Sequence, residues 1–225
     1  MEHVELTSSR SEQSLSMRRR YLLSCGIIAP LLVFGSLAED VAEKEKFAFD
    51  LTALQFIHGA SSGWMDRLMA ASTEAGSGIG LGIGCAIVVL LLLRQRQRVA
   101  ALFVLVSLPG AAILNLLCKL IFARTRPDLW ISALPETSFS FPSGHAMNSM
   151  AFCAALIVIS WSSRWRGLVL ACSAVFVLLV GLSRLYWGVH YPSDIAAGWS
   201  CGIAWVCTVK YLFDMRAMSP ICLGD

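Results

Sequence analysis

Apolar residues fall into six long runs along the chain: Tyr21–Ala38, Gly76–Leu93, Val99–Phe122, His145–Trp161, Gly167–Leu182 and Ile195–Phe213. Crossing a hydrocarbon core about 30 Å thick takes about 20 mostly apolar helical residues. The runs come close to that length, and interfacial aromatics such as Trp161, Trp165, Trp187 and Trp199 complete the shorter ones. The pattern predicts an all-α polytopic membrane protein, a six-transmembrane-helix bundle formed by residues 21–213. Tails at 1–20 and 214–225 flank it.

The stretch 39–75 is too polar to span. Its apolar positions (Phe47, Phe49, Leu51, Leu54, Phe56 and Ile57, then Trp64, Met65, Leu68 and Met69) predict short helices lying at the membrane interface, as a lid, a collar or simple packing. Gly76, Gly80 and Gly84, four residues apart, predict a close helix–helix contact rather than a dinucleotide loop, because no strand precedes them. A rival parse of residues 1–38 is a cleaved signal peptide ending at Ser36-Leu37-Ala38, but its polar lead-in is long for one.

Charge sets the orientation. With the N-terminus inside, cytoplasmic pieces carry 11 of the 18 Lys and Arg residues, and the first outer loop carries seven acids between Glu39 and Glu74. The positive-inside rule therefore predicts an N-in, C-in chain. Composition agrees: 56% of residues are hydrophobic, 15% are charged, and the mean hydropathy is +0.67. An average soluble domain is about 25% charged. A net charge of +3 is too small and too scattered to recruit nucleic acid. Seven of the eight cysteines lie in apolar runs without a CxxC pair, which predicts free thiols acting as small hydrophobes.

Charges and histidines at membrane depth are costly and therefore informative. Three clusters share the predicted outer face. Lys119 and Arg126-Pro127 follow the third run; their seven-residue spacing is two helical turns, and arginine offers a fork of donors to phosphate oxygens. Phe141-Pro142-Ser143-Gly144-His145 opens the fourth run. Ser143 can cap a helix whose free N–H groups and dipole attract an anion, with Gly144 allowing close backbone approach and His145 in the first turn. Ser183-Arg184, His190 and Asp194 lie between the fifth and sixth runs. His190 and Asp194 are four apart, so a turn or helix start puts them on one face, and a carboxylate on one imidazole nitrogen frees the other to attack. Each cluster alone reads equally as a capped helix start, a surface Asp–His pair or snorkelling cations.

Together, Lys119-x6-Arg126-Pro127, Pro142-Ser143-Gly144-His145 and Ser183-Arg184-x5-His190-x3-Asp194 resemble the three-part signature of the type 2 phosphatidic acid phosphatase superfamily, which also contains vanadium haloperoxidases. All three parts are present in order, with Tyr186, Gly188, Tyr191-Pro192 and Gly198 flanking. The resemblance implies that His190 is the nucleophile forming a phosphohistidine, that Asp194 orients it, and that His145 is the general acid. It also implies that Lys119, Arg126, Ser143, Gly144 and Arg184 bind phosphate, with no metal and no cofactor. Arg124 stands beside this set and is left out of it.

The implied activity is hydrolysis of a membrane lipid phosphate or diphosphate, of the phosphatidate, phosphatidylglycerophosphate or undecaprenyl diphosphate kind, in a bacterial inner membrane with the site facing the periplasm. A lipid phosphotransferase, for instance one modifying lipid A, would share the whole machinery. A non-catalytic transporter or scaffold would have no need of the complete His–Asp–Arg set, and a haloperoxidase fits poorly because those relatives are generally soluble. The segments 39–75 and Asp128–Phe141 are the expected seat of substrate choice.

Overall fold

The computed structural model describes residues 22–44, 47–59, 62–129 and 136–215; residues 1–21, which include the expected N-terminal tail, residues 130–135 of the expected substrate-choice loop, and the chain from 216 lie outside the described residues. The described residues are helical, with no strand among them. A π-helical turn, Leu22–Ile28, leads into α1 (Ala29–Ala42), followed by α2 (Ala48–Gly59), α3 (Gly63–Ala75) and α4 (Gly78–Arg94). Next come α5 (Arg98–Phe122), α6 (Gly144–Ile159), α7 (Arg166–Tyr186) and α8 (Pro192–Met215). Asp214 and Met215, expected in a tail, continue α8.

Each of the six apolar runs is helical, but their lengths differ. Ser24–Ala42, α5, α7 and α8 are long and apolar enough to cross a membrane alone, and α3 with α4 reaches that length only as a pair bent by 57°. The bend has a local cause: Ser77 stops one helix and caps the next, its Oγ accepting the Gly80 N–H at 3.0 Å. The sixth segment, α6, has 16 residues, about 24 Å of helix by rise per residue. It can be short because α5, α7 and α8 all pack around it. Met147, Ala151 and Ala155 of α6 meet Phe103, Val104 and Ala111 of α5 and Val206 of α8 in the buried core.

The outer faces are the inverse of a soluble protein's. Ile79, Ile83, Ile87 and Leu90 on α4, and Ile113, Leu116, Leu120 and Ile121 on α5, are exposed. Apolar bands of this extent are what lipid covers. Of the seven described cysteines, all free, Cys85, Cys118, Cys153 and Cys201 are buried as expected, whereas Cys25 and Cys172 are exposed on these faces.

What positions the site is the contact between α8 and α6. Gly198 and Gly202, one turn apart, let α8 lie on the backbone of α6: a Cβ at Gly198 would come within 2.8 Å of the Ser143 carbonyl oxygen, and one at Gly202 within 2.8 Å of that of Met147. The two helix starts then join directly, Ser143 N–H to Asp194 C=O at 3.1 Å. The glycines of the second run act separately instead of as one stripe. Gly76 meets Val180 of α7, Gly84 meets Phe152 of α6, and Gly80 clears the α3–α4 turn.

Gly198→Val places a branched side chain against backbone that cannot yield. Overpacking of this kind costs about 1–3 kcal/mol, so thermal unfolding of the purified protein is expected several degrees below wild type, with loss of the site. An unchanged midpoint would show that α8 does not need this close approach.

Candidate active site

The site grows from the way α7 ends and α8 begins. Val189 N–H bonds the Arg184 carbonyl at 3.2 Å and Gly188 N–H bonds that of Leu185 at 2.9 Å. This double bond requires a left-handed residue, supplied by Gly188 with φ 65°. Two residues later comes His190, and Pro192 then opens α8. Asp194, in the first turn, reaches back with Oδ2 to the Tyr191 N–H at 2.9 Å, half of a capping box. The same oxygen lies 3.3 Å from His190 Nδ1.

On the other side of the ring, Arg126 Nη1 stands 3.0 Å from His190 Nε2. A guanidinium cannot accept a hydrogen bond, so Nε2 is the acceptor and Nδ1–H donates to Asp194. The tautomer is thereby set, with the Nε2 lone pair turned toward the arginines. Burial, reinforced by Arg126 and Arg184, holds the fully buried His190 well below the ordinary histidine pKa. At neutral pH the ring is therefore uncharged and nucleophilic, and only acid well below the usual imidazole range would silence it.

The cations converge, though not by the route their spacing predicts. α5 stops at Phe122, where Ala123 turns left-handed at φ 44°, so Lys119 and Arg126 do not share one helix face. The chain folds back instead, and both reach Ser138 Oγ, Lys119 at 2.9 Å and Arg126 at 3.0 Å. Arg126 also donates to the Val189 carbonyl at 2.6 Å and the Ser138 carbonyl at 2.7 Å. Arg184, 1% exposed, is aimed by Thr73 of α3, whose Oγ1 accepts from Nη1 at 2.8 Å. The carboxylate of Glu136 bridges the pair: Oε2 takes Arg126 Nη2 at 2.5 Å, and Oε1 takes Arg184 Nη2. Burial pushes the Glu136 pKa up, but the Arg184 and Arg126 guanidiniums outweigh it and hold the carboxyl below its ordinary value. Two oxygens offered to two guanidiniums is how a phosphate would be gripped.

At the start of α6, Ser143 holds the capping position but makes no side-chain cap. Its Oγ is buried and has no protein partner. Gly144 is required by a neighbouring side chain, since a Cβ there would meet Asn115 Oδ1 at 2.9 Å. Asn115 secures the turn through the Pro142 carbonyl at 3.1 Å. His145, half-buried in the first turn, lies within electrostatic reach of Arg184, Glu136, Lys119 and Arg126. Among the described residues no three His, Cys, Asp or Glu side chains gather as a metal site.

Arg124 belongs with the set it was left out of. Its Nη1 donates to Asp194 Oδ1 at 2.6 Å and to Ser193 Oγ at 2.8 Å, and its guanidinium stacks on Tyr191, 4.1 Å from the ring centre. Sequence reasoning also missed Glu136, Thr73, Ser193 and Asp50. The run of cations at 124–126 was a signal for Arg124. The others are lone polar residues in loops or amphipathic helices, where sequence carries none. A cavity of about 840 Å³ abuts this network, lined by Phe47, Asp50, Leu51, Phe122, Arg124 and Tyr191 among others.

If Glu136 occupies the oxyanion position, Glu136→Gln should strengthen competitive inhibition by inorganic phosphate about tenfold. That corresponds to about 1.4 kcal/mol, near the low end for a charge-assisted hydrogen bond. An unchanged or weaker inhibition constant would place the anion site elsewhere.

Comparison with known proteins places the chain among membrane phosphatases by sequence and fold. Phosphatidylglycerophosphatase B of Bacillus subtilis is 30% identical over 154 residues, 65% of this chain and 74% of that one. An undecaprenyl-diphosphatase of Sulfolobus acidocaldarius is 32% identical over 108 residues, 46% of this chain and half of the other. The crystal structure of a transmembrane PAP2-type phosphatidylglycerolphosphate phosphatase from Bacillus subtilis superimposes with a TM-score of 0.74 at 26% identity, covering 84% of this chain and 96% of that one. The family model for the PAP2 superfamily matches residues 100–218, which include all three clusters around the arginines and histidines. The chain is a multi-pass integral membrane protein and belongs to the PAP2 superfamily.

Proposed function

We infer that this protein is an integral-membrane phosphatase that hydrolyses a lipid phosphate or diphosphate through a phosphohistidine on His190. The observation that carries this reading is the alignment of Asp194, His190 and Arg126. A neutral imidazole has its Nδ1–H held by a carboxylate and its Nε2 facing the Arg126 guanidinium, which Glu136 bridges to Arg184. In a fold whose flanks are apolar, such a site fits a phosphate carried on a hydrocarbon tail.

In the proposed sequence the phosphate displaces the Glu136 carboxylate. Arg126, Arg184 and Lys119 take its oxygens, aided by the Ser143 hydroxyl and the free first-turn N–H groups of α6. Nε2 of His190 forms a bond to phosphorus while the bond to the leaving oxygen breaks, and His145 gives that oxygen a proton. Asp194 stabilises the positive imidazole ring. Water then attacks phosphorus, His145 takes its proton, the P–N bond breaks, and orthophosphate leaves. Once the Glu136 carboxylate has left, the same arginines supply donors for the charge that the equatorial oxygens gather.

The distribution of Lys and Arg supports an N-in, C-in topology with the site at the outer, periplasmic face of a bacterial inner membrane. The names of the relatives support substrates of the phosphatidylglycerophosphate or undecaprenyl diphosphate kind.

Assaying the purified protein against phosphatidate, phosphatidylglycerophosphate, undecaprenyl diphosphate and lipid A is expected to release orthophosphate from at least one. His190→Ala is expected to abolish that release while the protein stays folded, and EDTA is expected to leave it unchanged. Wild-type turnover by His190→Ala would refute the nucleophile. Phosphate recovered on a second lipid instead of in solution would make the protein a transferase.

A further inference from the structure

Asp50 lies on α2, outside the three clusters and outside the matched family segment. Its side chain is 2% exposed. An ionised carboxylate that deeply placed needs a full set of donors, and it has one. Oδ1 accepts the Ser193 N–H at 3.0 Å; Oδ2 accepts Ser193 Oγ at 2.6 Å and Arg124 Nη2 at 3.0 Å. Arg124 Nη1 in turn holds Asp194 Oδ1 at 2.6 Å and Ser193 Oγ at 2.8 Å, so one guanidinium sits between two carboxylates. Asp194 passes the chain on to His190 Nδ1.

We propose that Asp50 is a positioning residue for phosphoryl transfer, fixing Arg124 and the first turn of α8 so that Asp194 keeps its orientation and its electrostatic pull toward His190. Two physical effects meet here. Geometrically, Asp50 grips the Ser193 backbone in the first turn of α8, beside Asp194, and so sets the rotation of that turn. Electrostatically, Arg124 carries one positive charge shared by Asp50 and Asp194. With Asp50 neutral, the whole of that charge would fall on Asp194 and weaken its stabilisation of the imidazolium formed in the transition state. Sharing leaves more of the Asp194 negative potential uncancelled for His190 while Arg124 still holds the carboxylate in place. Asp50 touches no reacting atom; it acts through Arg124 and Asp194. The stretch 39–75, expected as a lid, a collar or packing, thus supplies part of the catalytic support.

The inference rests on His190 being the nucleophile, and its test separates the two. In full-length protein in detergent, with p-nitrophenyl phosphate as substrate, Asp50→Asn is expected to lower kcat about tenfold or more with KM within twofold of wild type. In an Asp194→Asn background the same change is expected to cost less than twofold, because the link is already cut. Orthovanadate, which bonds to a well-placed imidazole nitrogen, is expected to bind Asp50→Asn at least fivefold more weakly by calorimetry, a readout independent of turnover. Ser193→Ala, which keeps the backbone N–H to Asp50, is expected to fall between wild type and Asp50→Asn. The inference is overturned by full activity and vanadate affinity in Asp50→Asn. It is equally overturned by losses that add fully to Asp194→Asn, or by a loss that matches only the fraction of protein unfolded. Failure of wild type to hydrolyse any lipid phosphate, with these vanadate differences intact, would count against the proposed substrate and leave Asp50 in its role.

Discussion

Several cations cannot be held together out of water without an anion among them. Lys119, Arg126 and Arg184 converge beside the N-terminus of α6, whose dipole adds a further partial positive charge. Arg184 is almost completely buried. At such depth each charge carries a desolvation cost that only a paired opposite charge offsets. In this structure the Glu136 carboxylate bridges the two arginines. The same electrostatic demand is the physical basis for the proposed phosphate site, because a dianion with three oxygens satisfies more donors than a carboxylate with two. The arrangement also explains why Arg126 rests against His190: until an anion draws it away, Nε2 is its acceptor.

The rest of the fold can be seen as the means of bringing these groups to one place. Gly198 and Gly202 let α8 settle on α6, and the Ser143–Asp194 backbone bond joins their starts. Gly188 turns the chain so that His190 precedes α8 at the distance at which Asp194 can reach back. α2 and α3 contribute Asp50 and Thr73, one steadying Asp194 through Arg124 and the other steadying Arg184. Rigid helix ends, rather than loops, carry most of the side chains assigned to the proposed phosphate site, as suits a reaction driven by positioning and electrostatics.

How far sequence could reach depended on the kind of signal. Apolar runs located the helical segments within a few residues, and for Ser24–Ala42, α5, α7 and α8 hydrocarbon thickness accounts for their length. They did not reveal that α6 stops short or that α3 and α4 form one bent unit, because those features come from packing between neighbours and from a cap at Ser77. The site set at 119–194 was legible because His, Arg and Asp are rare at membrane depth and kept recognisable spacing. Its neighbours were not. Asp50 and Glu136 lie 144 and 58 residues from Asp194 and carry no local pattern; only tertiary folding gives them meaning. Lys119 and Arg126 show the opposite case, meeting as expected but through a chain reversal at Ala123 where helical spacing implied one face.

The central proposal is a single oxyanion position, held by Glu136 between Arg126 and Arg184 in this structure and by substrate phosphate in turnover, within reach of His190 Nε2. A crystal structure of the protein soaked with orthovanadate tests it most directly. The expected density is a trigonal-bipyramidal vanadate bonded to Nε2, with Arg126 and Arg184 on its equatorial oxygens and the Glu136 carboxylate withdrawn from both arginines. Vanadate bound away from His190, or Glu136 still bridging the two guanidiniums with the anion present, would contradict it.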